Sequence, residues 1–326
     1  MPKAVVCREL GPPERLLLES FAPAPLTRGQ VRVAIHAAGI NFPDILMVAG
    51  DYQLKPELPF TPGVEASGEV LEVDDAVDGV TIGDRVIVRM RHGAYAEQAV
   101  VASSQLTPLP SAFDYAEGAT FLAAHGTAYH ALIDRGTLRQ GEVLLVHGAG
   151  GGVGLAAVEI GKMLGATVIA AASSEDKLAA AQARGADHLV LYGREPFRDA
   201  VKRITDGRGA DVVFDPVGGE VFENSLRCIA WGARILVIGF TGGIGLARTN
   251  LLLIKGASVL GVRAGEAVRR NPAAGEVRIK ALTEWAEAGK IRPYISHRLP
   301  LRDYAQAMRL LTDRKAIGRV ALMMRP

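Results

Sequence analysis

The sequence predicts an α/β protein in which a doubly wound parallel sheet is inserted into a β-rich, barrel-like domain, and three observations carry that prediction. Residues 1–124 read as short β segments broken by Gly and Pro. From 125 the pattern changes to apolar strands alternating with helices, as in a parallel sheet with crossover helices. After 263 mixed structure returns in segments that have no complete core of their own. They are expected to pack back on the first part, giving domains 1–124 plus 264–326 and 125–263. At 326 residues the chain exceeds what one core usually serves.

In the first part, strands are expected at 3–7, 30–38, 68–73, 85–90 and 94–101. The inserted part offers strands at 143–147, 167–171, 188–191, 212–215, 234–238 and 258–262, with helices at 153–164 and 177–184 among them. The last part reads as a helix near 278–287, a proline-marked extended stretch at 291–299, a helix at 301–311 and a strand at 318–323. The apolar strand at 258–262 falls at the sheet edge and needs covering.

Composition excludes several classes. The hydrophobic fraction of 49% with 37 glycines and 6% aromatics belongs to a globular chain with many tight turns. Net charge is +2, and no Lys/Arg block interleaves with aromatics, so neither a nucleic-acid nor an anionic-membrane surface is expected; Arg269 and Arg270 read as solvated. Cys7 and Cys228 are the only cysteines, which argues against a disulfide scaffold or a cysteine-rich zinc lobe and fits a reducing compartment. No basic, apolar leader precedes the first strand, and no apolar run approaches the ~20 residues of a membrane span, so a soluble, cytoplasmic protein is expected. No G-x-S-x-G motif supports a serine hydrolase.

The sequence VLLVHGAGGGVG at 143–154 is a strand, a glycine-rich turn and a helix start. In G-x-G-x-x-G the first position makes the tight turn, the second lets backbone approach a pyrophosphate, and the third lets helix and strand pack closely. Those positions here are Ala149, Gly151 and Gly154, with the amides near Gly152 and Val153 facing the pyrophosphate at the positive end of the helix. An acid about 20 positions on would bind the ribose 2′-hydroxyl of NAD. This chain has Ser173 and Ser174 there, followed by Lys177, which favours the 2′-phosphate of NADPH although Glu175 lies one residue away. Ser173 and Ser174 also read as a helix cap, and a cap and a phosphate site can share one helix start.

Five further phrases span almost the whole chain: AAGINFPD at 37–44, GVEASG at 63–68, GTAYH at 126–130, VFDPVGG at 213–219 and VIGFT at 237–241. With the glycine loop they resemble the zinc-independent quinone oxidoreductase, or zeta-crystallin-like, branch of the medium-chain dehydrogenase/reductase superfamily. The resemblance implies a Rossmann sheet inserted in a GroES-like β-barrel catalytic domain. Zinc-bearing relatives carry Cys where this chain has Asn41 and His where it has Val64. Glu65 remains, but one carboxylate cannot supply a protein zinc site, and no metal ligand is assigned. His125 and His130, five apart, do not share a helix face and read as packing or backbone-bonded groups.

The resemblance further implies that Asn41, Asp44 and Tyr52 border the substrate and nicotinamide pocket. It places Thr127, Phe240 and Thr241 on the cofactor, and Tyr192 and Arg314 with Lys177 around the adenosine phosphate. Bland alternatives stand beside these: Asn41 and Asp44 as helix caps, Tyr52 as loop packing, Arg314 as an exposed helix end. Arg263 and Ala264 depart from the bulky aromatics that close relatives tend to carry. The expected reaction is hydride transfer from NADPH to a quinone or related carbonyl in a dry cleft, with Asn41 and Tyr52 as donors to the developing oxyanion and Tyr52 or solvent delivering the proton. Reduction of an activated carbon–carbon double bond in an enone or enoyl thioester is the alternative, with Arg263 the residue that hints at it. A non-catalytic NADPH-binding protein is a third reading, because fold does not fix function. In this branch the edge strand pairs with its copy, so a homodimer is expected.

Overall fold

The computed structural model describes residues 1–324 and divides into two compact units, Met1–Ala123 with the segment from Arg292 onward, and Ala124–Ile291. The first unit opens with β1 (Lys3–Val6) and β2 (Leu17–Ser20), an antiparallel pair. There follow β3 (Gln30–Gly39), α1 (Phe42–Ala49), β4 (Glu65–Val73), β5 (Arg85–Arg89), β6 (Gln98–Ala102), β7 (Leu106–Pro108) and the short α2 (Tyr115–Gly118). Most of β3 is buried because antiparallel partners flank it, β4 on one side and β6 on the other. Its Val31, Val33 and Ile35 alternate into the core with Val86 and Val88 of β5. The strand expected at 94–101 is paired only from Gln98, and Ala96 makes a lone bridge to Ala4.

The second unit begins within α3 (Leu122–Tyr129) and a wide π-type turn at His130–Arg135. Strands and helices then alternate: β8 (Val143–Val146), α4 (Gly152–Met163), β9 (Thr167–Ala172), α5 (Glu175–Ala183), β10 (His188–Leu191), α6 (Phe197–Ile204), β11 (Ala210–Asp215), α7 (Gly219–Ser225), β12 (Ile229–Val237), α8 (Thr249–Lys255) and β13 (Ser258–Gly261). All six strands are parallel, in the order β10-β9-β8-β11-β12-β13. The chain steps outward from β8 on one side and from β11 on the other, so the order reverses between them. In such sheets ligands bind beyond the carboxyl ends of the strands at this switch point.

Two helices follow, α9 (Ala264–Arg270) and α10 (Pro272–Glu287), and both belong to this second unit. The return to the first unit therefore comes at Arg292, not at 264 as the sequence pattern suggests. The reason is a buried polar anchor. Arg278 of α10 donates to Asp134 at 2.7 Å and reaches His130 Nδ1 at 3.1 Å, and Trp285 packs on Tyr129 with ring centroids 5.5 Å apart.

Back in the first unit, β14 (Ile295–Pro300), α11 (Tyr304–Thr312) and β15 (Arg319–Met323) complete a seven-stranded sheet in the order β14-β15-β3-β4-β5-β7, with β6 also on β3. Val320, Leu322 and Met308 are buried in the same core as β3. At ~1.5–3 kcal/mol for each such side chain, the burial of Val320 and Leu322 makes the last strand a principal stabiliser of a sheet in which its neighbour β3 ends some 280 residues earlier. Among the described residues, no helix is long and apolar enough to cross a membrane.

Candidate functional site

The glycine loop follows the fully buried β8. Gly148 turns the chain with φ +56°, a left-handed conformation that favours glycine, and the Gly151 N–H closes the turn on the Gly148 carbonyl at 2.9 Å. The turn-making residue is thus Gly148, one before the Ala149 that the fingerprint alignment assigns. Ala149 is buried, its N–H donating to Ala171 of β9 at 3.0 Å. A Cβ on Gly154 would run into the Gly148 carbonyl, and one on Gly150 would overlap the Lys177 side chain, so both glycines allow backbone to approach where a side chain could not. α4 starts at Gly152 with Gly151 at its N-cap, and no side chain caps it. Twelve residues of helix present their positive end here. The loop and its uncapped helix fit an anionic diphosphate.

At the end of β9, Ser174 caps α5 by accepting from the Lys177 N–H at 3.4 Å, and the Lys177 ammonium donates to Ser173 Oγ at 3.3 Å. Glu175, the acid that could bind a ribose diol, lies 3.7 Å from Arg194. The structure therefore groups Ser173, Ser174 and Lys177, with an exposed serine and a cation together.

Tyr192, at the end of β10, sits differently. Its hydroxyl lies 2.7 Å from His147 Nδ1, and burial pushes its pKa above the usual phenol range. His147 Nε2 is 2.8 Å from Ser225 Oγ, which donates to the Val221 carbonyl at 2.7 Å. Complete burial pulls the imidazole down to about 3, so it is neutral. Sequence reading took His147 only as the end of a strand, and nothing local signals its partners 45 and 78 residues away.

Several other residues of this unit lie near strand ends. Asp215 ends β11 and accepts from the Val217 and Gly218 N–H groups at 2.8 and 2.9 Å, fixing the turn. Burial raises its pKa. Beyond β12, Thr241 Oγ1 donates to Pro216 at 3.2 Å while Phe240 is exposed. Arg263 is exposed two residues after β13. Thr127 is half-buried on α3. His125 and His130 bond carboxylates, Glu159 at 3.0 Å and Asp134 at 2.8 Å, where sequence reading expected packing or backbone partners.

In the first unit, Asn41, Asp44 and Glu65 form one buried polar cluster closed by Arg319. Asn41 Nδ2 donates to Glu65 at 3.1 Å and to the Gly39 carbonyl at 3.2 Å, and its Oδ1 accepts from Arg319 at 2.9 Å. Arg319 also pairs with Glu65 Oε1 and bonds the Thr120 carbonyl at 3.1 Å, while Glu65 Oε2 accepts from the Ala123 N–H at 2.9 Å. Both amide hydrogens of Asn41 are therefore held inside the protein, which leaves it no donor for a substrate oxyanion. The expectation for Asn41 is corrected accordingly: a cation 278 residues away in sequence orients it.

Asp44 Oδ2 accepts from the Asn41 N–H and from the Tyr95 hydroxyl, both at 2.8 Å, and its Oδ1 is buried without a partner. Burial pushes this carboxyl up to about 7 against those two bonds. Asp44 is a helix cap, fully enclosed. Tyr52 is half-buried against the core, and its hydroxyl has no bond to another described residue. Arg314 lies exposed in the turn after α11, with φ +58°. Among the described residues no three His, Cys, Asp or Glu side chains gather as a metal site.

Comparison with known proteins agrees with this architecture. Residues 152–278 match the family described as zinc-binding dehydrogenase, and residues 27–111 the alcohol dehydrogenase GroES-like domain. The quinone oxidoreductase-like protein 2 homolog of Nematostella vectensis is 40% identical over 324 residues, covering 98% of this chain and 88% of its own. The Escherichia coli quinone oxidoreductase complexed with NADPH superposes with a TM-score of 0.89 at 28% identity, covering 98% of this chain and 99% of that one. JamJ enoyl reductase, in its apo form, does so at 0.87 and 26%, covering 99% of each. The chain is an oxidoreductase that belongs to the medium-chain dehydrogenase/reductase superfamily, in its quinone oxidoreductase branch.

Proposed function

We propose that this protein is an NADPH-dependent reductase delivering hydride to quinones or related carbonyl acceptors without zinc. The observation that carries the reading is the pairing of an uncapped, glycine-lined helix start with Lys177 on Ser173 at the next strand end, while Glu175 faces Arg194. The amides opening α4 would hold the diphosphate, Lys177 and Ser173 the 2′-phosphate, and Arg314, Thr127 and the Phe240–Thr241 loop further parts of the cofactor. When bound, NADPH supplies the hydride from its nicotinamide ring. Tyr52 is the one candidate catalytic side chain whose polar group is not already bonded, so it is assigned donation to the acceptor oxygen, with solvent as the alternative proton source. The cation beside Asn41 and Glu65 is the Arg319 guanidinium, which suits a reaction that draws no charge stabilisation from a metal there.

The test follows NADPH and NADH absorbance with 1,4-benzoquinone, 9,10-phenanthrenequinone and a crotonyl thioester offered in parallel, chelator present throughout. NADPH oxidation by a quinone, undiminished by chelator, is expected. Loss of activity on chelation refutes the zinc-free mechanism, and binding without turnover on any acceptor favours a non-catalytic role. Turnover with the thioester alone moves the assignment to enoyl reduction, the second reading, for which the exposed Arg263 at a strand end offers a site for an anionic carrier.

We also propose a homodimer. β13 is the terminal strand of its sheet, and exposed Trp231, Leu253 and Ile254 lie on the neighbouring β12 and α8. An unpaired, apolar edge of this kind calls for a partner. Sedimentation should give twice the chain mass, and Val259→Lys should shift it toward the single chain; a monomeric wild type would overturn the assignment.

A further inference from the structure

The carboxyl end of β13 gathers two guanidinium groups from distant parts of the second unit. Arg135 closes the π-type turn before β8, and its Nε donates to the Gly261 carbonyl at 3.3 Å, across 126 residues of sequence. Arg263 follows Gly261 by two residues and is exposed. Two residues of extended chain span at most ~7 Å, so both cations belong to one strand end.

Neither has a counter-ion among the described residues, although an acid lies close to each in sequence. Asp134, next to Arg135, is taken by Arg278 at 2.7 Å and by His130 at 2.8 Å. Glu266, in the first turn of α9, accepts from Arg269 at 2.6 Å and from Arg270 at 2.9 Å. The Arg263 side chain has no bond to another described residue, and Arg135 keeps both terminal nitrogens after its one bond to Gly261. Two unpaired cations at one strand end repel each other, and an anion between them removes that repulsion.

A single exposed arginine is ordinarily only solvated, but the place of this pair in the sheet gives it a use. The Val262 N–H donates to the Val237 carbonyl at 2.9 Å, so the end of β13 lies beside the end of β12, from which the Phe240–Thr241 loop departs. This is the side of a parallel sheet on which ligands bind. Guanidinium groups meet carboxylate or phosphate oxygens with paired N–H donors, and Arg135, held through Nε, has its terminal edge preset for such a contact.

We propose that Arg135 and Arg263 form an anion subsite that holds a carboxylate or phosphate carried by the acceptor, away from the atom that receives hydride. The inference rests on the reductase reading above and narrows it, for quinones and thioesters alike, to acceptors that bear such a group.

The experiment offers acceptors in matched neutral and charged pairs. One pair is 1,4-naphthoquinone and its 2-carboxylate; the other is the crotonyl thioester of N-acetylcysteamine and that of coenzyme A. Wild type, Arg263→Gln, Arg135→Gln and the double variant are each measured with NADPH, and every variant is compared with wild type on the same acceptor, so intrinsic reactivity cancels. Each single variant should lose about 10-fold in kcat/KM on the charged member, as for a lost charge-assisted hydrogen bond, and keep its rate on the neutral one. Arg263→Lys should recover part of the loss. Added salt should weaken the charged acceptor in wild type and not in the double variant. A response confined to the carboxylated quinone identifies the anion as a carboxylate, and one confined to the coenzyme A thioester identifies it as a phosphate. Equal losses on both members, a raised KM for NADPH in place of the acceptor, or no loss at all would overturn the proposal while wild-type turnover leaves the reductase reading standing. A wild type that reduces none of the four acceptors would overturn that reading, and this inference with it.

Discussion

Arg319→Met is expected to destabilise the protein by about 3–5 kcal/mol, because it leaves Glu65 charged, buried and without its cation. Asn41 Oδ1 and the Thr120 carbonyl lose a donor in the same step. The pair itself does not supply that energy. Two ions withdrawn from water recover little more than their desolvation cost, whereas one ion withdrawn alone recovers none. The double variant Arg319→Met/Glu65→Gln should therefore be more stable than the single, and urea unfolding of the three proteins tests the order. If the single variant unfolds at the wild-type midpoint, Arg319 is not the counter-ion of this cluster.

Asp44 gives the second large effect, through pH. Its carboxyl titrates near 7 in the fold, above the ~3.9 of an unfolded chain. Between those values the native state keeps a proton that the unfolded chain releases, so the group's contribution is complete below about pH 4 and is lost as pH rises through about 7. Between pH 5 and pH 8 the wild type should lose roughly 2–3 kcal/mol more than Asp44→Asn, which carries no titrating group there. Urea unfolding at the two pH values measures it. Parallel losses in the two proteins would mean that Asp44 ionises like an exposed carboxylate.

How far the sequence reveals this molecule depends on the range of each interaction. The glycine loop is legible because strand, turn and helix start are consecutive and each has a local signature. Even so, the turn falls on Gly148 where pattern matching selects Ala149. Ser173, Ser174 and Lys177 lie within one helix start, and their grouping follows from spacing alone. The return to the first unit is misplaced by the pattern because α10 is held by Arg278 on Asp134, a contact 144 residues apart with no periodicity to announce it. Asn41 and Tyr192 are found by resemblance, yet what each does is fixed by partners elsewhere in the chain, Arg319 for one and His147 for the other. A residue type at a matching position shows what chemistry is available. Only its neighbours show which of its hydrogens are free.

The insertion of one unit within the other has a consequence for synthesis. Residues 124–291 are contiguous and can complete their parallel sheet as soon as they leave the ribosome. The first unit cannot. Its β3 has β4 and β6 early, but β15, which pairs Ala321 with Gly39 and brings Val320 and Leu322 into the core, is made last. Until then Val33, Ile35 and their neighbours on β3 remain part of an unfinished core, an aggregation hazard lasting for the translation of some 280 residues. Arg319 arrives with the same strand, so Glu65 and Asn41 also wait for it; the ordering of the polar cluster and the closing of the core are one late event in the life of the chain.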